Sequence, residues 1–300
     1  FENSTIKDLH LPASIEKLEE FWCFSTPNLI NVTISSDNQK FLIQEQKILL
    51  GKTVENYDTF YFANRDIQTV FISSTIKRIN SCCFQNCSKL KSIEFSNDSK
   101  LEMIGKYSFA NSSFEYLKIP KSVSHIDDHA FFICKNIQLI IFDSDSNLSF
   151  MGQSAFESST ISTVTIPNKV KSIEENTFSY CKKLKKIEFL EESELKTIKS
   201  EAFSDSRIEV LNLPSQVEKL EENWCSGASK LKVIKISRNK HLAIIDNNKL
   251  LIGKSSIEND QFDILYFACR DVVVAQIPSA IKRIGSCCFQ NCKSLKNVQF

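Results

Sequence analysis

Apolar residues recur along this chain in two alternating spacings. The first is Leu-x-x-Ile-x-Phe, at Leu90, Ile93 and Phe95 and again at Phe114, Leu117 and Ile119. It returns at Ile137, Ile140 and Phe142, and at Ile161, Val164 and Ile166. Two more copies are Leu184, Ile187 and Phe189, then Ile208, Leu211 and Leu213. Steps of 24 and 23 residues alternate, so the full unit is 47 residues. Apolar residues two apart predict a strand with one buried face. Further copies begin at Ile6, Leu29, Ile67, Leu231, Val272 and Leu295. The second spacing is Ile76-x-x-Ile79, then Val123/Ile126, Val170/Ile173, Val217/Leu220 and Ile281/Ile284, and it predicts a second short strand. Five residues later stands Phe84, Phe131, Phe178 or Phe289, and the shorter linkers put Phe109, Phe156 and Phe203 in the same slot. A Phe buries a large apolar area, so this slot is expected to form an interior row of rings.

Units of this length gain a continuous core only by stacking on one another. The expected fold is mainly β. It is a curved right-handed leucine-rich-repeat solenoid with short helical turns around the Ala-Phe segments and β-hairpin insertions. Residues 1–300 read as one solenoid. Pro12, Pro120, Pro167, Pro214 and Pro278 open the second run on alternate rungs, where a missing N–H ends the preceding strand. The rhythm is broken at 37–66 and 239–271. There, apolar runs flank polar turns such as Asp246-Asn247-Asn248-Lys249, which predicts a rung carrying a hairpin. A larger duplication is visible as well. Cys82-Cys83-Phe84-Gln85-Asn86-Cys87 returns as Cys287-Cys288-Phe289-Gln290-Asn291-Cys292, 205 residues later. With repeats running to both ends, the chain is expected to be part of a longer array.

Composition narrows the function. The net charge is +1, which disfavours a nucleic-acid partner or a polybasic membrane anchor. No apolar run is long enough for a transmembrane helix in this segment.

Candidate chemistry is sparse. Cys87, Cys134, Cys181 and Cys292 share one slot, eleven residues after the Val/Ile. Alternate rungs lie about 9–10 Å apart, too far for disulfides. Buried inert thiols that satisfy turn backbone are expected, and one member of each vicinal pair, Cys82-Cys83 and Cys287-Cys288, is expected to point outward. His125 and His129 would converge only on a helix, and here they fall in a strand and a turn. No ligand spacing for a metal, no nucleotide-binding loop and no nucleophile motif is present. The expectation is no enzyme activity, no cofactor and no metal.

Residues 120–142 (Pro-Lys-Ser-Val-Ser-His-Ile-Asp-Asp-His-Ala-Phe-Phe-Ile-Cys-Lys-Asn-Ile-Gln-Leu-Ile-Ile-Phe) resemble the BspA-like leucine-rich repeat family, also called Treponema pallidum-type repeats. Lys169 to Phe189 fits similarly, and the match covers nearly the whole chain. The resemblance implies a repeat protein of the cell surface with a role in adhesion and host interaction. It also implies a protein or glycan ligand on host cells or extracellular matrix, bound without catalysis. An intracellular or secreted interaction scaffold, or a structural spacer, is the alternative.

The slots leave the outward strand positions of the concave face for binding. Candidates there are Phe71, Tyr116, Lys118, Leu139, Ile141, Thr163, Thr165 and Val210, with Tyr116, Leu139 and Ile141 forming an apolar cluster. Asn3, Asn31, Asn97, Asn111 and Asn147 stand in Asn-x-Ser/Thr sequons and are candidate glycosylation sites.

Overall fold

The computed structural model describes residues 1–53, 56–256, 258 and 260–300. The chain divides into two compact units, Phe1–Ser159 and Thr160–Phe300. Each is a β-solenoid, and each long apolar pattern becomes a strand of three or four residues. In the first unit Asp8–Leu11 lies parallel to Asn31–Ile34, Thr69–Ile72 to Ser92–Phe95, and Tyr116–Ile119 to Leu139–Phe142. In the second, Thr163–Ile166, Lys186–Phe189, Val210–Leu213 and Val233–Ile236 form one parallel sheet, and Val274–Gln276 pairs with Asn297–Gln299. The second spacing forms two-residue strands that also stack in parallel. They are Arg78–Ile79, Met103–Ile104, His125–Ile126 and Phe150–Met151 in the first unit, and Ser172–Ile173, Thr197–Ile198 and Lys219–Leu220 in the second.

The expected short helical turns are absent: no helix occurs among the described residues. The Ala-Phe segments instead form ribbons of tight turns in which alternate amides face different partners. The N–H groups of Cys82, Phe84 and Asn86 donate to the carbonyls of Lys106, Ser108 and Ala110 on the next rung. Those of Cys83, Gln85 and Cys87 donate back three residues, to Asn80, Cys82 and Phe84. A helix would keep all these amides for itself. Sending every second one to a neighbour places a left-handed residue at every fourth position, as at Cys82 and Asn86, Tyr107 and Asn111, and His129 and Ile133. The same device recurs at Asn176 and Tyr180 and at Asn223 and Gly227.

The ring slot stacks as its spacing suggests. In the first unit Phe84, Phe109, Phe131 and Phe156 lie nearly parallel with centroids 5.0, 5.4 and 5.1 Å apart, all fully buried. In the second, Phe178 and Phe203 stack at 5.9 Å. The Cys slot caps turn carbonyls from inside. The Cys134 thiol donates to the Phe109 carbonyl at 3.1 Å, and the Cys87 thiol to that of Asn64 at 3.8 Å.

Of the interrupted stretches, residues 54, 55, 257 and 259 lie outside the described residues. In the first stretch, Phe41–Gln44 and Ile48–Lys52 form an antiparallel hairpin. Tyr57–Ala63 then pairs antiparallel with Ile48–Lys52 and parallel with Arg78–Ile79, which returns the chain to the solenoid. The second stretch repeats this with Leu242–Ile245, Leu250–Gly253, Ile264–Ala268 and Arg283–Ile284. The three-residue loop 45–47 joins the two strands of the first hairpin, with Glu45 and Gln46 both at positive φ.

At each interruption the ring row ends in a buried arginine. Arg65 is 3 % exposed and Arg270 5 %. Arg65 lies 4.4 Å over the Phe62 ring and donates to the carbonyls of Thr26, Ala63, Cys82 and Cys83. Arg270 lies 4.2 Å over Phe267 and donates to Ala228, Ala268, Cys287 and Cys288. Beside each stands a Cys where other rungs carry Phe. Arg65 contacts the Cys23 sulfur at 3.6 Å, and the Cys225 thiol is held by Arg270. The small side chain leaves room for the guanidinium, and the preceding Trp22 or Trp224 packs on Phe62 or Phe267 at 5.7 Å. Each guanidinium is thus a buried charged donor shared among carbonyls, most of which also accept a backbone N–H.

Phe131→Ala is expected to cost about 3–5 kcal/mol, because it opens a cavity between two stacked rings. Arg65→Ala is expected to cost about 3 kcal/mol, because it removes a buried side chain packed on Phe62 together with several charge-assisted hydrogen bonds. Urea unfolding followed by circular dichroism checks both. A loss below about 1 kcal/mol for Arg65→Ala would show that the arginine is not what closes the interruption.

Candidate functional site

The outward strand positions are fixed by register. In the first unit Tyr116 lies directly opposite Leu139, and Lys118 opposite Ile141. Tyr116 is half exposed, Leu139 and Ile141 are partly exposed, and Lys118 is exposed with its ammonium 3.0 Å from Asp143. Phe71 is the most open of these side chains at 59 % and faces Glu94 across its sheet. The structure therefore brings Tyr116, Lys118, Leu139 and Ile141 together on two strands and sets Phe71 on another sheet of the same unit. In the second unit Thr163 and Val210 flank Lys186, and Thr165 donates to the Glu188 carboxylate at 3.2 Å. Val210 also faces Val233.

The sequence did not reveal that the long-strand sheet of the first unit is split. Ser92–Phe95 pairs backward to Thr69–Ile72 and Tyr116–Ile119 pairs forward to Leu139–Phe142, but the two pairs belong to separate sheets. Tyr116 stands at this split between two open hollows. One, of about 600 Å³, is lined by Gln68, Lys89, Lys91, Glu115 and Asn136. The other, of about 640 Å³, is lined by Glu94, Asn97, Lys118, Lys121, Asp143 and Asp145. An exposed ring flanked by polar hollows suits a ligand that offers both apolar and hydrogen-bonding groups. The apolar spacing stays regular through the split, so no sequence signal marked it. The buried arginines were also missed. A signal for them existed in Phe62-Ala63-Asn64-Arg65-Asp66, which returns as Phe267-Ala268-Cys269-Arg270-Asp271.

All eleven cysteines are free thiols. Neither member of the first vicinal pair points outward, contrary to expectation. Cys82 is buried because Phe21, Phe24 and Tyr107 pack over it, and Cys83 lies inside the core. In the second pair Cys288 is buried and Cys287 is partly exposed. Burial pushes the thiols of Cys87 and Cys134 up to about 11 and about 12, so they stay protonated and unreactive at neutral pH. His125 sits exposed on its short strand and His129 half-buried in a turn. Among the described residues no three His, Cys, Asp or Glu side chains gather to hold a metal ion. Asn3, Asn31, Asn97, Asn111 and Asn147 are all exposed. Among the described residues no helix is long and apolar enough to cross a membrane.

The BspA type Leucine rich repeat region matches the chain in six copies, over residues 1–44, 42–138, 102–232, 149–262 and 255–300. No curated protein matches. Among solved structures the chain is similar to the pneumococcal vaccine antigen PcpA. Identity is 20 %, the TM-score is 0.62, and the match covers 86 % of this chain and 64 % of that one. It is also similar to a leucine rich cell surface protein of Faecalibacterium prausnitzii, at 20 % identity and TM-score 0.60, with 89 % and 78 % covered. A leucine-rich repeat protein of Eubacterium ventriosum matches at 18 % identity and TM-score 0.56, with 83 % and 64 % covered. The chain thus spans just under two thirds of PcpA's length. At these identities the likeness establishes the solenoid fold.

A thiol-specific dye at pH 8 is expected to label Cys287 in the native protein while Cys87 and Cys134 stay unmodified until unfolding. Peptide mapping after timed labelling reads this directly. Rapid native labelling of Cys134 would mean that its turn opens far more often than its packing allows.

Proposed function

The chain belongs to the BspA-type leucine-rich repeat family, and from that premise we propose that it is a non-catalytic binding module of the cell surface. The ligand is a protein or glycan of a host cell or extracellular matrix, held by the outward face of the long strands. The observation that carries this reading is the in-register group Tyr116, Lys118, Leu139 and Ile141, with exposed Phe71 in the same unit. Half-exposed aromatic and aliphatic side chains on a rigid sheet form a preordered contact area that loses little entropy on binding. The solved relative from Faecalibacterium prausnitzii is described as a cell surface protein, and PcpA as a vaccine antigen, which supports the same placement here. Exposed sequons suit a secreted chain. In the second unit Thr163, Thr165 and Val210 extend the same kind of face with smaller side chains.

A second reading, an interaction scaffold in a reducing compartment, draws its support from the eleven free thiols. Neither reading assigns a catalytic role to any residue.

Replacing Leu139 and Ile141 together with Ser is expected to weaken adhesion to cultured epithelial cells or immobilised matrix protein at least tenfold, at unchanged thermal stability. Adding Tyr116→Ser is expected to abolish it. Flow cytometry with the fluorescently labelled protein gives the readout. A folded triple variant that adheres like the parent chain rules out this face as the binding surface.

A further inference from the structure

The left-handed turn slot carries different chemistry in the two units. In the second it holds Asn176, Glu201, Asn223 and Cys287, and Asn tolerates positive φ well. In the first it holds Cys82 and Ser154 and, besides these, three rings, Phe21, Tyr107 and His129. Phe24 and Phe132 lie three residues after Phe21 and His129 and join the same surface. Because consecutive turns sit one strand spacing apart, Tyr107 and His129 stack at 4.5 Å and 11°. Phe24 meets the other edge of Tyr107 at 5.1 Å, and Phe132 meets His129 at 5.4 Å. All five rings are half-buried. Phe21, Phe24 and Tyr107 cover the Cys82 core, which accounts for their inner faces. His129 and Phe132 carry the ring surface on past Tyr107.

Carboxylates surround these rings. Asp128 and Glu157 both act electrostatically on Tyr107 and His129, and Glu20 acts on Asp127 and Cys82. The nearby cation Lys106 is held by Asp128 at 3.5 Å. Among the described residues no ion pair engages Glu20, Asp127 or Glu157. Burial holds His129 below the usual histidine range, so it adds no charge at neutral pH. The result is an electron-rich aromatic surface within a local excess of negative charge, on a chain whose net charge is +1.

We propose that this face docks a basic segment of a partner protein, a lysine- or arginine-rich loop or tail whose cations lie over the rings and pair with Glu20, Asp127 and Glu157. Rings attract cations through their negative faces, and neighbouring carboxylates add to that attraction. The site is made of turns rather than long strands, so it stands or falls independently of the adhesion surface.

The test measures fluorescence polarisation of a labelled ten-residue oligolysine peptide against the whole chain, with a matched oligoglutamate peptide as control. Saturable oligolysine binding that weakens with salt is expected, with none for oligoglutamate. Tyr107→Asn with His129→Asn, which suits the turn geometry, is expected to weaken binding at least tenfold. Glu157→Lys is expected to do the same without removing a ring, and it serves if the ring variant does not fold. The Leu139→Ser, Ile141→Ser chain is expected to bind as the parent does. Absence of saturable oligolysine binding overturns the proposal. So does equal affinity in the parent and in either folded variant of this face.

Discussion

The distance between one rung and the next is set by backbone hydrogen bonds, and nearly every other feature answers to it. Strands in register sit about 4.8 Å apart. That spacing stacks Phe84, Phe109, Phe131 and Phe156 at ring-contact distance. It also lets the Cys134 thiol reach the Phe109 carbonyl of the rung before it. In the turns it has a cost. Half of the amides must face the neighbouring rung, so the chain adopts left-handed conformations at fixed intervals instead of closing a helical turn. Side chains as poorly suited as Ile133 and Tyr107 stay there because the inter-rung bonds on either side over-determine the backbone.

The insertions show what happens when this constraint is locally broken. A hairpin does not refill the interior column that a full rung would, and unfilled space in a packed core is destabilising. Both copies meet the problem with the same set of residues. A Trp-Cys pair replaces the small residue and the Phe, an arginine fills the space released, and its guanidinium feeds several carbonyls at once. Replacing the Cys with Phe would exclude the arginine. The residue substitutions around each interruption are therefore one coupled unit, which accounts for their reappearance together 202 to 205 residues later.

Surface chemistry is left to the positions this scaffold does not use. On the long strands these are the residues that alternate with the core, and the Tyr116 group lies where one sheet gives way to another. On the turns they include left-handed positions, where Phe21, Tyr107 and His129 bring rings to the surface of the first unit. A repeat fold separates these roles cleanly. A change at an outward position alters one rung's contribution to binding and leaves the stacking that holds the unit together.

The period alone settled the solenoid, its twelve long strands, the Phe row and the inward Cys slot, because stacking forces chemically equivalent positions into one column. The same alternation showed that Tyr116 and Leu139 face outward on neighbouring strands. Three features were decided only by the tertiary structure. The Ala-Phe segments are helix-like by local composition, yet their amides are claimed by adjacent rungs, and no local pattern records that claim. One of Cys82 and Cys83 reads as outward, yet both are buried, and rings from other rungs pack on the cluster that holds Cys82. Arg65 and Arg270 carry no mark of burial in the sequence pattern, and the space beside each interrupted rung explains why they are buried. In each case the deciding partner lies one or more rungs away, so the sequence carries the residue and the fold supplies what it meets.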